Sequence, residues 1–283
     1  MRAIEQSLHG VDATTMRRLL IHEARVHSLP GREIRDLGDA ILLYDPIDPE
    51  PFWNRAGAIH WPAEAVAFDR RLTELLVTFT SILRQPHIWP SPAHDTPPDL
   101  VARLEANGFR DVGAGCFMIL ADPGRANELA MAALAPGIQV KRFHGLSGEP
   151  ATRAAADIVS VLLDAFVVDP DRRSGIEAET TASLGHAAFT YYLATLDGNP
   201  AAVARRATFD GASYLSSIGT ATWARDRGLG RAVTSVASAD AVAAGSEWTY
   251  LGVFTENEVA RGVYRDVGFA QVGDPCPDLL LLG

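Results

Sequence analysis

The chain has 283 residues, a length that fits two domains of ordinary size better than one large domain. Its 47% hydrophobic and 21% charged residues, with a mean hydropathy of +0.04, indicate a folded globular protein rather than a disordered one. The net charge of -10 disfavours nucleic acid as a partner, and no stretch reaches the ~18 apolar residues of a membrane span.

The N-terminal stretch and the cysteines bear on the cellular compartment in which we expect the protein. Met1 to Leu20 lacks the apolar segment of a signal peptide. Cys116 and Cys276 are far apart in sequence and form neither a disulfide framework nor a CxxC metal pair. We therefore expect a cytoplasmic protein with reduced cysteines and no metal site.

In chain order, the first predicted helix runs from about Ala63 to Arg84 and leads towards one copy of an internal repeat. Gly108–Gly113 reads G-F-R-D-V-G, and Gly268–Gly273 reads G-F-A-Q-V-G. Each follows an apolar helical stretch and precedes an apolar, strand-like run, residues 116–120 and 278–282. The shared order of helix, glycine, phenylalanine and strand favours two copies of one fold.

The join between the copies is predicted near Pro123–Gly137, where Asp122-Pro123-Gly124 opens a short helix and Pro136-Gly137 closes it. We therefore predict domains 1–136 and 137–283. Hydrophobic periodicity and turn residues then divide the second domain into elements. These are a strand 138–143, a helix 149–167, a polar helix-loop segment 169–185, antiparallel strands 187–196, 201–209 and 212–222, a helix 229–244 and a strand 248–254.

A glycine-rich turn, Arg225-Asp226-Arg227-Gly228-Leu229-Gly230-Arg231, precedes the helix at 229. A helix N-terminus offers free N–H groups and positive potential, and glycines let a phosphate approach the backbone. The turn lacks the pattern of a P-loop or of a dinucleotide fold, and antiparallel strands lead into it. Taken alone, it could equally be a structural turn with solvated arginines.

A second pair of residues lies downstream of this turn. Asn257 and Tyr264 are seven residues apart, which places them on one face of a helix about 10.5 Å apart. A ligand along that face would meet an amide and a phenol. The alternative is that Asn257 only caps the helix and Tyr264 only packs in the core.

The chain resembles the GNAT superfamily of N-acetyltransferases in two motifs and in their order. These are R-x-x-G-x-G at 225–230, followed by N-x-x-A-x-x-x-Y-x-x-x-G-F at 257–269. The resemblance covers nearly all of the C-terminal half. It implies an α/β (α+β) chain of two GNAT-like domains, each a mixed, mostly antiparallel sheet flanked by helices. It also implies acetyl-CoA as co-substrate.

The resemblance assigns roles to individual residues. The pantetheine arm would bond the backbone of Ile218, Gly219 and Thr220, and Asn257 would contact the same arm. Tyr264 would lie near the sulfur and protonate the leaving thiolate. The sequence departs from the family at Thr222, where proline is common, and at Gly262, which weakens the helix by ~1 kcal/mol. The pyrophosphate would be held by the glycine-rich turn, comprising Arg225, Arg227, Gly228, Leu229, Gly230 and Arg231.

The first domain is predicted to be a degenerate copy. Aligning the repeats places Leu104 opposite Tyr264 and Pro97 opposite Asn257, and the helix beginning Phe68-Asp69 has no glycine turn. We expect a structural role, a role in lining the acceptor site, or a surface for a homodimer.

These observations predict an acetyl-CoA-dependent N-acetyltransferase (an acyltransferase) acting on a primary amine of a small molecule. Nucleic acid and membranes are not expected partners. The general base stays open among Asp164, Asp169, Glu177, Glu179 and His186. The alternative is a non-catalytic sensor or scaffold that binds acyl-CoA.

Overall fold

A computed structural model describes residues 11–91, 94–132, 134–166, 168 and 170–282. Two mixed sheets flanked by helices confirm the predicted fold class. The helices are α1 (Ala13–Ser28), α2 (Ala65–Ser81), α3 (Leu100–Ala106), α4 (Pro123–Met131), α5 (Gly148–Phe166), α6 (Arg173–Gly185), α7 (Leu229–Ala243) and α8 (Glu258–Val267). None of these described helices combines the length and the apolar character that crossing a bilayer requires.

The strands are β1 (Glu33–Asp36), β2 (Ile41–Tyr44), β3 (Arg55–Gly57), β4 (His87–Ile88), β5 (Phe109–Asp111), β6 (Gly115–Leu120), β7 (Ile138–Phe143), β8 (Phe189–Leu196), β9 (Asn199–Phe209), β10 (Ala212–Thr220), β11 (Trp248–Phe254), β12 (Phe269–Cys276) and β13 (Leu279–Leu281). They form two sheets, the first in the order β1-β2-β3-β4-β13-β5 and the second in the order β12-β6-β11-β10-β9-β8-β7. Strands β3 and β4 pair in parallel, as do β10 and β11. Strands β8, β9 and β10 form the predicted antiparallel meander, and β7 pairs antiparallel with β8.

The chain divides into two compact units. The first contains residues up to 117, 253–257 and the residues from 272 onwards, and the second contains 118–252 and 258–271. This division differs from the boundary predicted at residue 136. Helix α4 packs against α7 and so belongs to the second unit, whereas β13 lies between β4 and β5 of the first sheet.

The core of the first unit forms where α2 covers its sheet. Phe68, Leu72, Leu75 and Phe79 are spaced to lie on one face of α2, and all four are buried. The face packs against buried side chains of β2, β3, β4, β5 and β13. Burying one such side chain contributes ~1.5–3 kcal/mol, so this face fixes α2 on the sheet.

In the second unit, α5 lies against the meander. Its buried face carries small residues in the N-terminal half, Ala151 and Ala155, and larger ones in the C-terminal half, Ile158 and Leu162. Tyr191 and Leu193 of β8 belong to the same cluster, with Val203 of the adjoining strand β9. The small side chains allow the first half of the helix to approach the sheet closely. Its C-terminal end lies beside β10, where Ala165 and Phe166 approach Gly219.

The two repeat segments adopt the same local conformation. Gly108 and Gly268 end α3 and α8 with φ of 93° and 107°, a region that favours glycine. The phenylalanine after each glycine is buried, Phe109 at 0% and Phe269 at 3% exposure. A Cβ at Gly268 would lie 2.6 Å from the carbonyl oxygen of Asp122, so this position requires glycine.

Candidate functional site

Strand β10 carries a β-bulge in its second half. Ser216 pairs with Arg205 of β9 and Gly219 pairs with Val203, so β10 has one extra residue between these pairs. Ser217 has φ of 51°, the conformation of the bulge. The parallel register with β11 runs from Ala212 only as far as Leu215, although β10 continues to Thr220.

The bulge therefore leaves part of the strand accessible. Residues 212–215 are buried, whereas Ser216, Ser217, Ile218 and Thr220 are half-buried. The backbone of residues 218–220, predicted to bond the pantetheine arm, lies on this stretch. A bent strand with backbone groups outside the parallel ladder can bond an extended ligand.

The glycine-rich turn after β10 opens α7. Gly228 is the N-cap of α7 with φ of 74° and has no side chain to cap the helix, so the amides of residues 229–231 precede the first intrahelical acceptor. Asp226 also has positive φ, 61°, and Arg225, Arg227 and Arg231 are exposed, while Leu229 is buried.

The turn has the features of an anion site. Free N–H groups, the positive end of α7 and surrounding guanidinium groups all favour negative charge. A Cβ at Gly230 would lie 3.2 Å from Thr220 Oγ1, so there is little room for a side chain there. The described residues thus fit a pyrophosphate as the sequence predicts, and their role in binding it stays a prediction.

The C-terminal end of α5 is attached to the end of β10. The Asp164 carboxylate accepts hydrogen bonds from the backbone N–H and the hydroxyl of Thr222. Arg225 Nη2 donates to the carbonyl oxygen of Ala165 at 3.3 Å. The prediction that β10 extends to Thr222 is wrong, because these bonds turn the chain and residues 222–224 form a 3-10 turn.

Tyr264 is buried in α8, with 6% of its surface exposed. Its ring packs edge-on against Phe269, 6.3 Å between centroids. Burial raises the pKa of the phenol to about 12, so it stays protonated at neutral pH, as a proton donor must.

Asn257 directly precedes α8, the N-cap position that the sequence predicts, and its side chain is exposed. Its backbone N–H donates to Phe254 O at 3.0 Å, which closes the turn after β11. Asn257 belongs to the first compact unit, whereas the helix that follows it belongs to the second. Its contact with the pantetheine arm stays a prediction.

Several candidate general bases already have partners. Asp164 holds Thr222, and Glu177 forms an ion pair with Arg173 at 3.1 Å. His186 Nδ1 accepts from the backbone N–H of Ala188 at 3.2 Å. Glu179 lies on α6, and Asp169 lies outside the described residues. None of these contacts identifies the base.

In the alignment of the two halves, the start of α2 in the first unit corresponds to the glycine-rich turn of the second unit. The two helix N-termini differ. At the start of α2, the Glu64 carboxylate accepts from the backbone N–H groups of Val66 and Ala67 at 2.9 and 2.7 Å. These bonds lower the pKa of Glu64. The carboxylate thus occupies the backbone N–H groups that a phosphate would need. The presence of Glu64 just before this helix could have indicated this from the sequence. Leu104, aligned with Tyr264, lies in the apolar core.

The second unit therefore defines a class of protein. It combines an α/β fold with a bulged strand that is open on one edge, followed by a glycine-capped helix suited to a phosphate-bearing ligand.

Comparison with known proteins shows what the chain is similar to. The model of the acetyltransferase (GNAT) family matches residues 156–269. A search among curated proteins found no significant match to the sequence.

Solved structures share the fold over nearly the whole chain. A GCN5-related N-acetyltransferase from Kribbella flavida has 18% identity and a TM-score of 0.70, covering 97% of this chain and 96% of its own. A tandem GNAT protein from the clavulanic acid biosynthesis pathway has 15% identity and a TM-score of 0.61, covering 91% and 86%. A GCN5-related N-acetyltransferase from Sphaerobacter thermophilus has 14% identity and a TM-score of 0.56, covering 91% and 84%. These likenesses show a shared fold over most of the chain.

Proposed function

We propose that the protein transfers an acetyl group from acetyl-CoA to a primary amine on a small molecule. The observation that carries the proposal is the bulged end of β10, which leads through the glycine-rich turn into the uncapped N-terminus of α7. This order places an open backbone edge next to an anion site, which suits a ligand with an amide-bearing arm and a pyrophosphate.

Acetyl-CoA supplies the acetyl group as a thioester: the amine nitrogen bonds to the carbonyl carbon, the carbon–sulfur bond breaks, the amine loses a proton and the sulfur gains one. A backbone N–H of residues 218–220 would stabilise negative charge on the carbonyl oxygen. The phenol of Tyr264 would donate the proton that the sulfur gains, and its raised pKa keeps that proton available.

The amine must be neutral when it reacts. A free alkylammonium has a pKa of ~10.4, so its proton must pass to a base of the protein or to water first. The net charge of -10 attracts ammonium groups. It disfavours nucleic acid, and we propose neither nucleic acid nor a membrane as partner. In this proposal the first unit supports the second, lines the acceptor site or provides a dimer surface.

The test is a screen for CoA release from acetyl-CoA with amines, aminoglycosides, amino acids and peptides as acceptors. We expect release that depends on a primary amine, together with an acetylated product detected by mass spectrometry. Tight binding of acetyl-CoA without release on any acceptor would instead indicate a non-catalytic sensor or scaffold.

A further inference from the structure

Two exposed aromatic side chains lie beside the proposed acetyl-transfer site. Phe166, the last residue of α5, is 53% exposed, and Trp223, in the turn after β10, is 52% exposed. In the described part of the second unit, no other Phe, Trp or Tyr is as exposed. Single exposed apolar residues are common, but two on elements joined by the Asp164–Thr222 hydrogen bond are a candidate binding surface.

Phe166 lies over Gly219. A Cβ built on Gly219 would be 3.2 Å from the edge of the Phe166 ring and 2.9 Å from the Cβ of Ala165. Side chains stand roughly perpendicular to a sheet, whereas backbone N–H and C=O groups lie in its plane. A ligand bonded to the strand backbone would lie in that plane, so Phe166 is free to contact a second ligand above the strand.

The position of Phe166 is set by contacts of the two residues that precede it. Asp164, two residues earlier, holds Thr222, and Arg225 donates to the carbonyl oxygen of Ala165. The bond from Asp164 to Thr222 also keeps Trp223, the next residue, beside the end of α5. The aromatic surface is therefore presented by the end of α5 and by the turn after β10, which are attached to each other, and this favours a defined binding pose.

The charges at this turn balance. The Asp164 carboxylate is matched by two donors from Thr222, and the Arg225 guanidinium lies close by on Ala165. The surface thus offers apolar area without the excess of carboxylates that selects a polycation.

We propose that Phe166 binds the apolar part of the acceptor, and that the acceptor is a primary amine with an aromatic or other apolar group close to its nitrogen. The inference rests on the proposed function. It names Phe166 as a residue that determines specificity for the amine and assigns it no part in binding the co-substrate.

The experiment compares 2-phenylethylamine with ethylamine as acceptors, since the two differ by a phenyl group. For the wild-type protein we expect kcat/KM for 2-phenylethylamine to exceed that for ethylamine by about tenfold or more, the effect of burying a ring. In Phe166→Ala this ratio should fall about tenfold, and Phe166→Leu should restore part of it. The Kd of acetyl-CoA, measured by calorimetry, should stay within about twofold of wild type, since twofold is a small change in binding free energy.

Met131→Ala is the matched control, because Met131 is an exposed apolar residue on α4, 86% exposed. The ratio should not change in this variant, and circular dichroism should show that all variants are folded. An unchanged ratio of the two kcat/KM values in Phe166→Ala would overturn this inference but not the proposed function. A loss of acetyl-CoA affinity as large as the fall in that ratio would do the same. Absence of acetyl-CoA binding and of CoA release with every amine would overturn the proposed function as well.

Discussion

Gly228 and Gly230 require glycine for different reasons. At Gly228 the requirement is conformational, since φ is 74° while a Cβ would meet only the end of Arg231 at 3.7 Å. At Gly230 the requirement is spatial, since a Cβ would lie 3.2 Å from Thr220 Oγ1 and a longer side chain would extend into the anion site. A substitution at Gly228 should therefore strain the backbone, whereas a substitution at Gly230 should crowd the anion site.

We predict that Gly230→Asp abolishes acetyl-CoA binding while the protein remains folded. The aspartate adds bulk and negative charge where the pyrophosphate is expected, and like charges at short range repel. Calorimetry measures the affinity and circular dichroism the fold. Gly175→Asp is the control, because Gly175 lies in the first turn of α6 and a Cβ there meets nothing within 4 Å. Unchanged affinity in Gly230→Asp would remove this turn from the site.

We predict that Tyr264→Phe lowers kcat by about 10² to 10⁴, the usual contribution of a general acid, and leaves acetyl-CoA affinity nearly unchanged. The substitution keeps the buried ring and its packing on Phe269, so the fold should persist. Steady-state kinetics would be combined with a demonstration that chemistry limits the rate. Wild-type turnover in this variant would leave Tyr264 as a packing residue only.

The pKa of Tyr264 also predicts a pH profile. Burial raises this pKa to about 12, so the phenol keeps its proton while an acceptor amine loses its own near pH ~10. We expect kcat/KM to rise with pH up to about pH 10 without a descending limb from the phenol. A decline between about pH 8 and 9 in the folded enzyme would be inconsistent with Tyr264 as the acid.

At the scale of elements, hydrophobic periodicity and turn residues predict most of the second unit. The limits of β7 and β11 agree with the sequence, those of α5 differ by one residue at each end, and those of α7 differ by one residue at the C-terminal end. The bulge at Ser217 was not predicted, although Gly219 within the strand is a local signal that could have indicated it, since glycine inside a strand often marks a bulge. The end of β10 was missed because Asp164 lies 58 residues from Thr222 in the sequence.

The contact between α5 and β10 gives Gly219 a structural role besides its predicted cofactor contact. We predict that Gly219→Ala destabilises the protein by about 1–3 kcal/mol, because its Cβ would lie 2.9 Å from that of Ala165 and the helix must move. Urea denaturation measures the change. Gly262→Ala, where a Cβ meets nothing within 4 Å in a helix interior, should instead stabilise α8 slightly. Equal stabilities of Gly219→Ala and wild type would show that α5 shifts without cost.

Helix α1 is attached to β3 by a buried ion pair. Both oxygens of Glu23 accept from Arg55 Nη2, at 2.7 and 2.8 Å, and Arg55 lies between the rings of Phe52 and Trp89. Burial by itself would raise the pKa of Glu23, but Arg55 and His27 outweigh it and lower the pKa from 4.5 to about 2. The pair thus contributes stability only while Glu23 is ionised.

We predict that Glu23→Gln costs about 3–5 kcal/mol at neutral pH, because it leaves the Arg55 charge buried without its partner. Because the folded-state pKa is lowered, the contribution of Glu23 is present above about pH 4.5 and is lost as the pH falls towards 2. Denaturant titrations at neutral and acidic pH measure both effects. From neutral to acidic pH, the free energy of unfolding should fall less in Glu23→Gln than in the wild type. Equal falls in the two proteins would contradict the assignment.

At the scale of the whole molecule, the two halves share a fold but differ at the helix N-terminus. In the first unit Glu64 occupies the amides at the start of α2, whereas in the second Gly228 leaves those of α7 uncapped. We predict one acetyl-CoA bound per chain, measured by calorimetry or native mass spectrometry. Two equivalent sites would show that the first half is not degenerate.

The place of β13 in the first sheet affects how the protein is made. Leu281 pairs with Phe109 and Leu279 with Ile88, so the first sheet includes residues translated after the whole second unit. Ribosomal synthesis proceeds from the N-terminus, and domains generally fold as they emerge. Until β13 is synthesised, the edges of β4 and β5 that pair with it remain unpaired. Unpaired strand edges can pair with other chains. The nascent first unit is therefore the stage at which we expect the protein to depend most on chaperones.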